Sequence, residues 1–400
     1  MRNFLFLIDR QLYYKYLSPI VDEVFRRGQT VICLHDYRDG ATRYAGIKAE
    51  QFPALSSCPQ FRHGTPKLKV RRNNREIETV IAHEDIDVVV ALHGPNHYDI
   101  PPEIRLRVVW IQVQHGHDCF REKAGVAEAD IFACYAPIWP THFMAVPTEN
   151  TYYVGCPVLD AVEYRADAIK TKYSLPPHTE VITYFANDEP RLTWVPEFLN
   201  RMWYRFVFSD DSWSERYDGA YRFLSRFCVT ELGLVEALRA YADARNAALV
   251  IKSRAKRKLS PRLVRLADIV LYDESYYPAT NYELMQISSL IVCMASTAQI
   301  EAAYFGTPAI SLYPSRLSKL FCKDLAKCFP IDLAVKTQTM ESFISDMQQG
   351  RLRPPAIAEF RVDELFGPED GCSASRIFDL AANISQKKQK QSLSETKNSV

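Results

Sequence analysis

At 400 residues the chain has room for two domains or one large one. It is 47% hydrophobic and 12% aromatic, enough for a sizeable core. With Lys+Arg at 49 and Asp+Glu at 48, a net charge of +1 gives no global attraction to nucleic acid, and ten cysteines without a Cys-x-x-Cys pair argue against a zinc module or a disulfide framework.

The N-terminal apolar run ends at Asp9, short of a signal-peptide core, and no stretch reaches the roughly 18 apolar residues of a membrane span. The chain therefore reads as cytoplasmic and soluble, with peripheral membrane contact left open. Cys33, Cys134 and Cys293 lie in apolar runs and read as buried, reduced thiols. Phe4 to Ile8 reads as a buried strand. Leu12, Tyr16, Ile20 and Val24, flanked by Tyr13, Leu17, Val21 and Phe25, recur at four-residue spacing and make one broad apolar helix face. Gly28 is placed to cap that helix, and Thr30 to Leu34 is the next strand. Strand, helix and strand in about 30 residues form a βαβ unit and predict a parallel sheet.

Further short, β-branched apolar runs follow at Ile86 to Leu92, Arg107 to Val113, Ile131 to Tyr135 and Tyr152 to Cys156. Their continuous apolarity suits strands covered on both faces. The basic run between Lys67 and Arg75 reads as a solvated loop. A boundary falls within 157–180, where Pro157 and Pro176-Pro177 interrupt the pattern. A second series comprises Val181 to Ala186, Ala248 to Ser253, Asp268 to Tyr272, Leu290 to Met294 and Ala309 to Tyr313. The expected organisation is a first domain over 1–165 and a second over 166–385 that ends in a helix at Ser373 to Ile384. An aromatic and basic insertion occupies 190–228, and a polar, disordered tail 386–400. The fold class is α/β: two Rossmann-like, doubly wound domains facing a cleft.

In such sheets ligands bind outside the carboxyl ends of the strands, so the candidate residues are those that follow strands. Residues 290–312 give a strand to Met294, then Ser296 or Thr297 as a helix cap, then a helix carrying Ile300, Ala303 and Tyr304 inward, then Gly306 as its stop. The helix N-terminus offers N–H groups to phosphate, and Glu301, one turn in, suits ribose hydroxyls. An ordinary crossover with a surface Glu fits the spacing equally well. In "LVIKSRAKRK", Lys252 and Arg254 alternate at a strand end, where a cation could clamp a diphosphate. In "IQVQHGHD" and "ALHGPNHYD", His115 and His93 each follow a strand, with Gly116, His117 and Asp118 beside the first. These residues read as lining for an acceptor. A zinc site from His93, His97, His115 and His117 matches no standard ligand spacing and has thin carboxylate support, so no metal is expected. No P-loop or Gly-x-Gly-x-x-Gly motif is present, which argues against an NTPase or a dinucleotide dehydrogenase.

"SSLIVCMASTAQIEAAYFGTPAISLYP" resembles the donor-site segment of the GT-B superfamily, which comprises nucleotide-sugar glycosyltransferases, UDP-GlcNAc 2-epimerases and CDP-glycerol glycerophosphotransferases. "YYVGCPVLDAV", "YYPATNYELMQIS" and "FGPEDGCSASRIFDLA" are similar to other segments of the same group. The resemblance spans about two thirds of the chain. It implies that His115 matches the His-Gly base of the glycerophosphotransferases, and that Ser296, Thr297 and Glu301 bind the nucleotide. Where those enzymes tend to carry His-Pro, this chain has Ser253-Arg254, a departure that favours a sugar nucleotide. The expected activity is metal-independent sugar transfer, without a cofactor, from a nucleotide-sugar donor to a carbohydrate or lipid-linked glycan acceptor. Lys252 or Arg254 would neutralise the leaving phosphate. Polyol-phosphate transfer and a non-catalytic binding or assembly role stand as alternatives. Asn187-Asp188-Glu189, where a phosphate loop would offer Gly, speaks for the non-catalytic role.

Overall fold

The computed structural model describes residues 2–36, 58–115, 128–142, 149–186, 230–253, 259–272, 277–294, 298–313, 336–353 and 362–398. The chain forms two compact units. The first comprises Met1–Val162, Ser275–Ala279 and Arg361–Val400, and the second Glu163–Glu274 and Thr280–Phe360.

In the first unit the described strands are β1 (Asn3–Ile8), β2 (Thr30–Asp36), β3 (Lys67–Arg71), β4 (Val88–Ala91), β5 (Val109–Val113), β6 (Ile131–Cys134) and β7 (Thr151–Tyr153). They pair in parallel in the order β3-β2-β1-β4-β5-β6-β7. Successive residues of a strand point to opposite faces. Phe4, Phe6 and Ile8 therefore join one core, with Leu17, Ile20, Val21 and Val24 of the helix Tyr13–Arg26 and with Ile377 and Phe378 of the helix Ser373–Asn398. Leu5 and Leu7 join the opposite core, with Ile77, Ile81 and Trp110. Each such buried Leu or Phe contributes roughly 1.5–3 kcal/mol. Gly28 closes the first helix as its sequence predicts: the Gly28 N–H donates to Phe25 and the Gln29 N–H to Val24.

In the second unit the described strands are β8 (Val181–Ala186), β9 (Ala248–Ser253), β10 (Ile269–Leu271), β11 (Leu290–Met294), β12 (Ala309–Tyr313) and β13 (Lys336–Thr339), again parallel, in the order β10-β9-β8-β11-β12-β13. β8 is central and buried throughout. The helix Glu231–Ala244 packs Leu234, Val235 and Leu238 on this sheet. Its first turn is capped by Thr230, whose side chain accepts from the Gly233 N–H.

Three expectations are corrected. The basic run that reads as a loop contains β3, an edge strand in which Lys67 and Lys69 bind Glu84 while Arg71 turns inward and is buried. Charge on an edge strand guards its open hydrogen-bonding side, so the alternation in "KLKVR" is hidden by residues that usually mark loops. The last helix runs to Asn398, through the stretch expected to be disordered. That same helix belongs to the first unit, not the second. The Lys388 ammonium donates to the carbonyls of Arg105 and Val108 and pairs with Asp130, and Phe378 stacks on Phe4 at 5.7 Å between centroids. The close return is tight: a Cβ on Gly367 (φ +75°) would lie 2.6 Å from the Tyr135 carbonyl oxygen. The aromatic insertion at 190–228 lies outside the described residues. Among the described residues, no helix is long and apolar enough to cross a membrane.

Candidate functional site

In the first sheet, chain order reverses between β1 and β4, the place where such sheets leave a crevice at their carboxyl ends. Asp9 follows β1, His93 comes two residues after β4, and His115 comes two residues after β5. The helix starting at Tyr13 begins beside them, and a 3-10 turn at Pro95–Tyr98 carries His97.

These side chains meet. The Tyr13 hydroxyl lies 2.9 Å from His93 Nε2. The His93 ring sits edge-on to His115 at 5.2 Å and stacks on His97 at 4.1 Å. Tyr13 and Tyr16 flank His115 at 6.3 and 6.2 Å. The backbone under each imidazole is pinned. Trp110, itself buried, donates from Nε1 to the His93 carbonyl at 3.1 Å. Buried Gln114 accepts from the Tyr135 N–H at 2.8 Å, and the Tyr135 hydroxyl donates back to the Gln114 carbonyl.

Asp9 is held from two sides. Arg71 Nη2 donates to Oδ1 at 2.6 Å and the Tyr98 hydroxyl to Oδ2 at 2.7 Å. Burial, reinforced by the Asp9 carboxylate, pushes the Tyr98 phenol well up, so it stays a donor. Arg71 also pairs with Asp36 at 3.0 Å and donates to Asn74 at 2.7 Å.

The structure thus brings His93 and His115 together, and Gly116, His117 and Asp118 lie outside the described residues. Asp9 and Tyr13 are members that sequence reasoning missed. Asp9 is the first polar residue after what proves to be the central strand, and that position was the available signal.

In the second sheet the reversal falls between β8 and β11. Asn187 to Glu189, which follow β8, and Ser296 and Thr297, which follow β11, lie outside the described residues, as does Arg254. Lys252 is buried near the end of β9, and its ammonium donates to the Ser253 carbonyl at 2.9 Å. Glu301 is half-buried on the helix Ala298–Tyr304. Ile300 is buried as expected, but Ala302 takes the fully buried place expected of Ala303 and Tyr304, which are half-buried. Gly306 (φ +65°) ends that helix: its N–H donates to Ala303 while the Thr307 N–H reaches Ala302, a closure that needs a left-handed residue.

Next to the site, the Tyr14 hydroxyl lies 2.7 Å from Nε2 of buried His35. Burial lowers the His35 pKa to about 4. The unfolded chain binds this proton below about pH 6.5 and the folded chain only below about 4, so stability falls as pH drops through that window. The loss reaches about 3 kcal/mol at its acid end. Urea unfolding of His35→Gln should show this part of the acid slope removed, and an unchanged slope would refute the assignment.

Two parallel sheets in the same order, 3-2-1-4-5-6 with one added strand in the first, with helices interleaved, define an α/β chain of the GT-B type. Solved structures share that fold. The wall teichoic acid polymerase TagF superposes over 97% of this chain and 90% of its own, with a TM-score of 0.59 and 14% identity. The UDP-GlcNAc 2-epimerase from Neisseria meningitidis, bound to UDP-GlcNAc, matches 96% of this chain and 99% of its own at 0.51 and 11%. MnaA from S. aureus, with UDP, matches 94% and 95% at 0.51 and 13%. No protein-family model matches the sequence. No curated protein matches it either.

Proposed function

We propose that the chain is a nucleotide-dependent transferase that moves a sugar from a nucleotide-sugar donor to a hydroxyl of a carbohydrate or lipid-linked glycan acceptor. The observation that carries this reading is the cluster of Tyr13, His93 and His115 at the reversal point of the first sheet. A neutral imidazole has one lone-pair nitrogen that can take a hydroxyl proton at physiological pH. His115 is the general base, and Tyr13 and His93 position it. In the second unit, Glu301 holds the ribose, Ser296 and Thr297 hold phosphate, and Lys252 or Arg254 meets the negative charge that develops on the leaving nucleotide. The diphosphate is then neutralised by side chains, without a metal between them.

Polyol-phosphate transfer is the second reading, favoured by the likeness to a teichoic acid polymerase along nearly the whole chain. His115 keeps its role there, and the released nucleotide differs. The test is a thermal-shift panel with UDP, GDP, ADP, CDP and CMP, repeated on Glu301→Ala. A ligand that binds only the native state raises its melting temperature. One selective nucleotide is expected, with its shift lost in the variant. Stabilisation by CDP or CMP alone favours polyol phosphate. No shift with any of them removes the donor-site assignment and leaves a non-catalytic scaffold as the better reading.

A further inference from the structure

We infer that Asp9, His93 and His97 form a binding site for a divalent transition-metal ion of the zinc type, a property beyond the proposed transfer reaction. Each residue offers one ligand atom, and these atoms lie within 4.8 Å of one another. Two imidazoles and one carboxylate are a ligand set that zinc accepts while keeping a fourth position open for water or a hydroxyl group. Imidazole nitrogens select zinc, cobalt or nickel over magnesium and calcium, which prefer oxygen alone.

The surroundings fit this use. Metal-ligating residues carry outer hydrogen bonds that fix their orientation. One ring nitrogen of His93 is bonded to the Tyr13 hydroxyl, and the His93 carbonyl is fixed by Trp110. Both Asp9 oxygens accept hydrogen bonds, from Arg71 and Tyr98. Arg71 lies 2.6 Å from Asp9 and 3.0 Å from Asp36, so its positive charge is shared between two carboxylates. A tetrahedral zinc, with bonds of about 2.0–2.1 Å, needs ligand atoms about 3.4 Å apart. Closure therefore asks the three groups to draw in by roughly an ångström. His97 is exposed and free of the core, so its ring can turn to meet the ion.

The test is a Co²⁺ titration of the full-length, chelator-stripped protein carrying Cys372→Ser, which removes an exposed thiol that would bind cobalt on its own. One equivalent of Co²⁺ should produce visible ligand-field bands of a four-coordinate site, and Zn²⁺ should abolish them. His97→Ala, at an exposed position, should weaken binding at least about tenfold with the melting temperature of the metal-free protein unchanged. His93→Gln should weaken binding likewise. Absence of saturable bands, or binding that survives both substitutions, overturns the site. The titration uses neither nucleotide nor acceptor, so its failure is separate from failure of the transferase reading.

Discussion

Replacing His115 by asparagine is expected to slow transfer by about 10²–10⁴-fold, the usual contribution of a positioned general base. The imidazole stands two residues past β5, edge-on to His93 at 5.2 Å and between Tyr13 and Tyr16. Its backbone leaves the sheet through Gln114, which is clamped to Tyr135 by two hydrogen bonds. That clamp does not involve the imidazole, so the fold should survive the exchange. The measurement is steady-state transfer with the nucleotide sugar that the stabilisation panel selects, alongside the melting temperature. A fall in kcat with KM for the donor unchanged is the expected pattern, because the lost interaction acts on the acceptor proton in the transition state. The acid limb of the kcat/KM profile should vanish with the imidazole. Tyr13→Phe removes only the hydroxyl bonded to His93 and should cost less. Full activity in His115→Asn would exclude the base assignment and give this histidine a structural place instead.

Removing the guanidinium of Arg71 should be the most damaging single change to stability. Its side chain is 2% exposed and lies between Asp9 and Asp36 at 2.6 and 3.0 Å, over the Tyr98 ring. Arg71→Met fills much of the volume but takes the guanidinium away from two enclosed carboxylates. Breaking a buried pair in this way costs about 3–5 kcal/mol. A domain's whole stability is only about 5–15 kcal/mol, so the first unit would be close to unfolding. Urea unfolding of the full chain measures the loss. Adding Asp36→Asn to Arg71→Met removes one of those two charges and should recover part of the loss. A loss below about 1 kcal/mol, or no recovery in the double variant, would mean that water reaches this group freely.

The strands of both central sheets were legible because their residues obey local rules. β8, β9, β11 and β12 have the limits the sequence predicts, since continuous β-branched apolar runs have few other stable uses. The Gly28 and Gly306 stops were legible for the same reason: each satisfies its own helix end within a few residues. β3 and β13 were not, because a charged or polar edge strand carries the residues of a loop, and only the neighbours β2 and β12 make them strands. Of the site, His93 and His115 were visible as polar residues just beyond apolar strands. That they meet followed only if β4 and β5 are neighbours, as they prove to be. Asp9 and Tyr13 join them only because the sheet order places β1 beside β4, Phe4 against Val88, a pairing that no local pattern announces. Likewise the C-terminal helix docks on the first unit through Phe378 and Lys388, whose partners lie hundreds of residues away in sequence. Sequence by itself determined which segments become strands and helices, because hydrophobic period and end-capping act over a few residues. The tertiary structure alone decided which polar ends converge, because convergence is set by packing between segments that no local pattern connects.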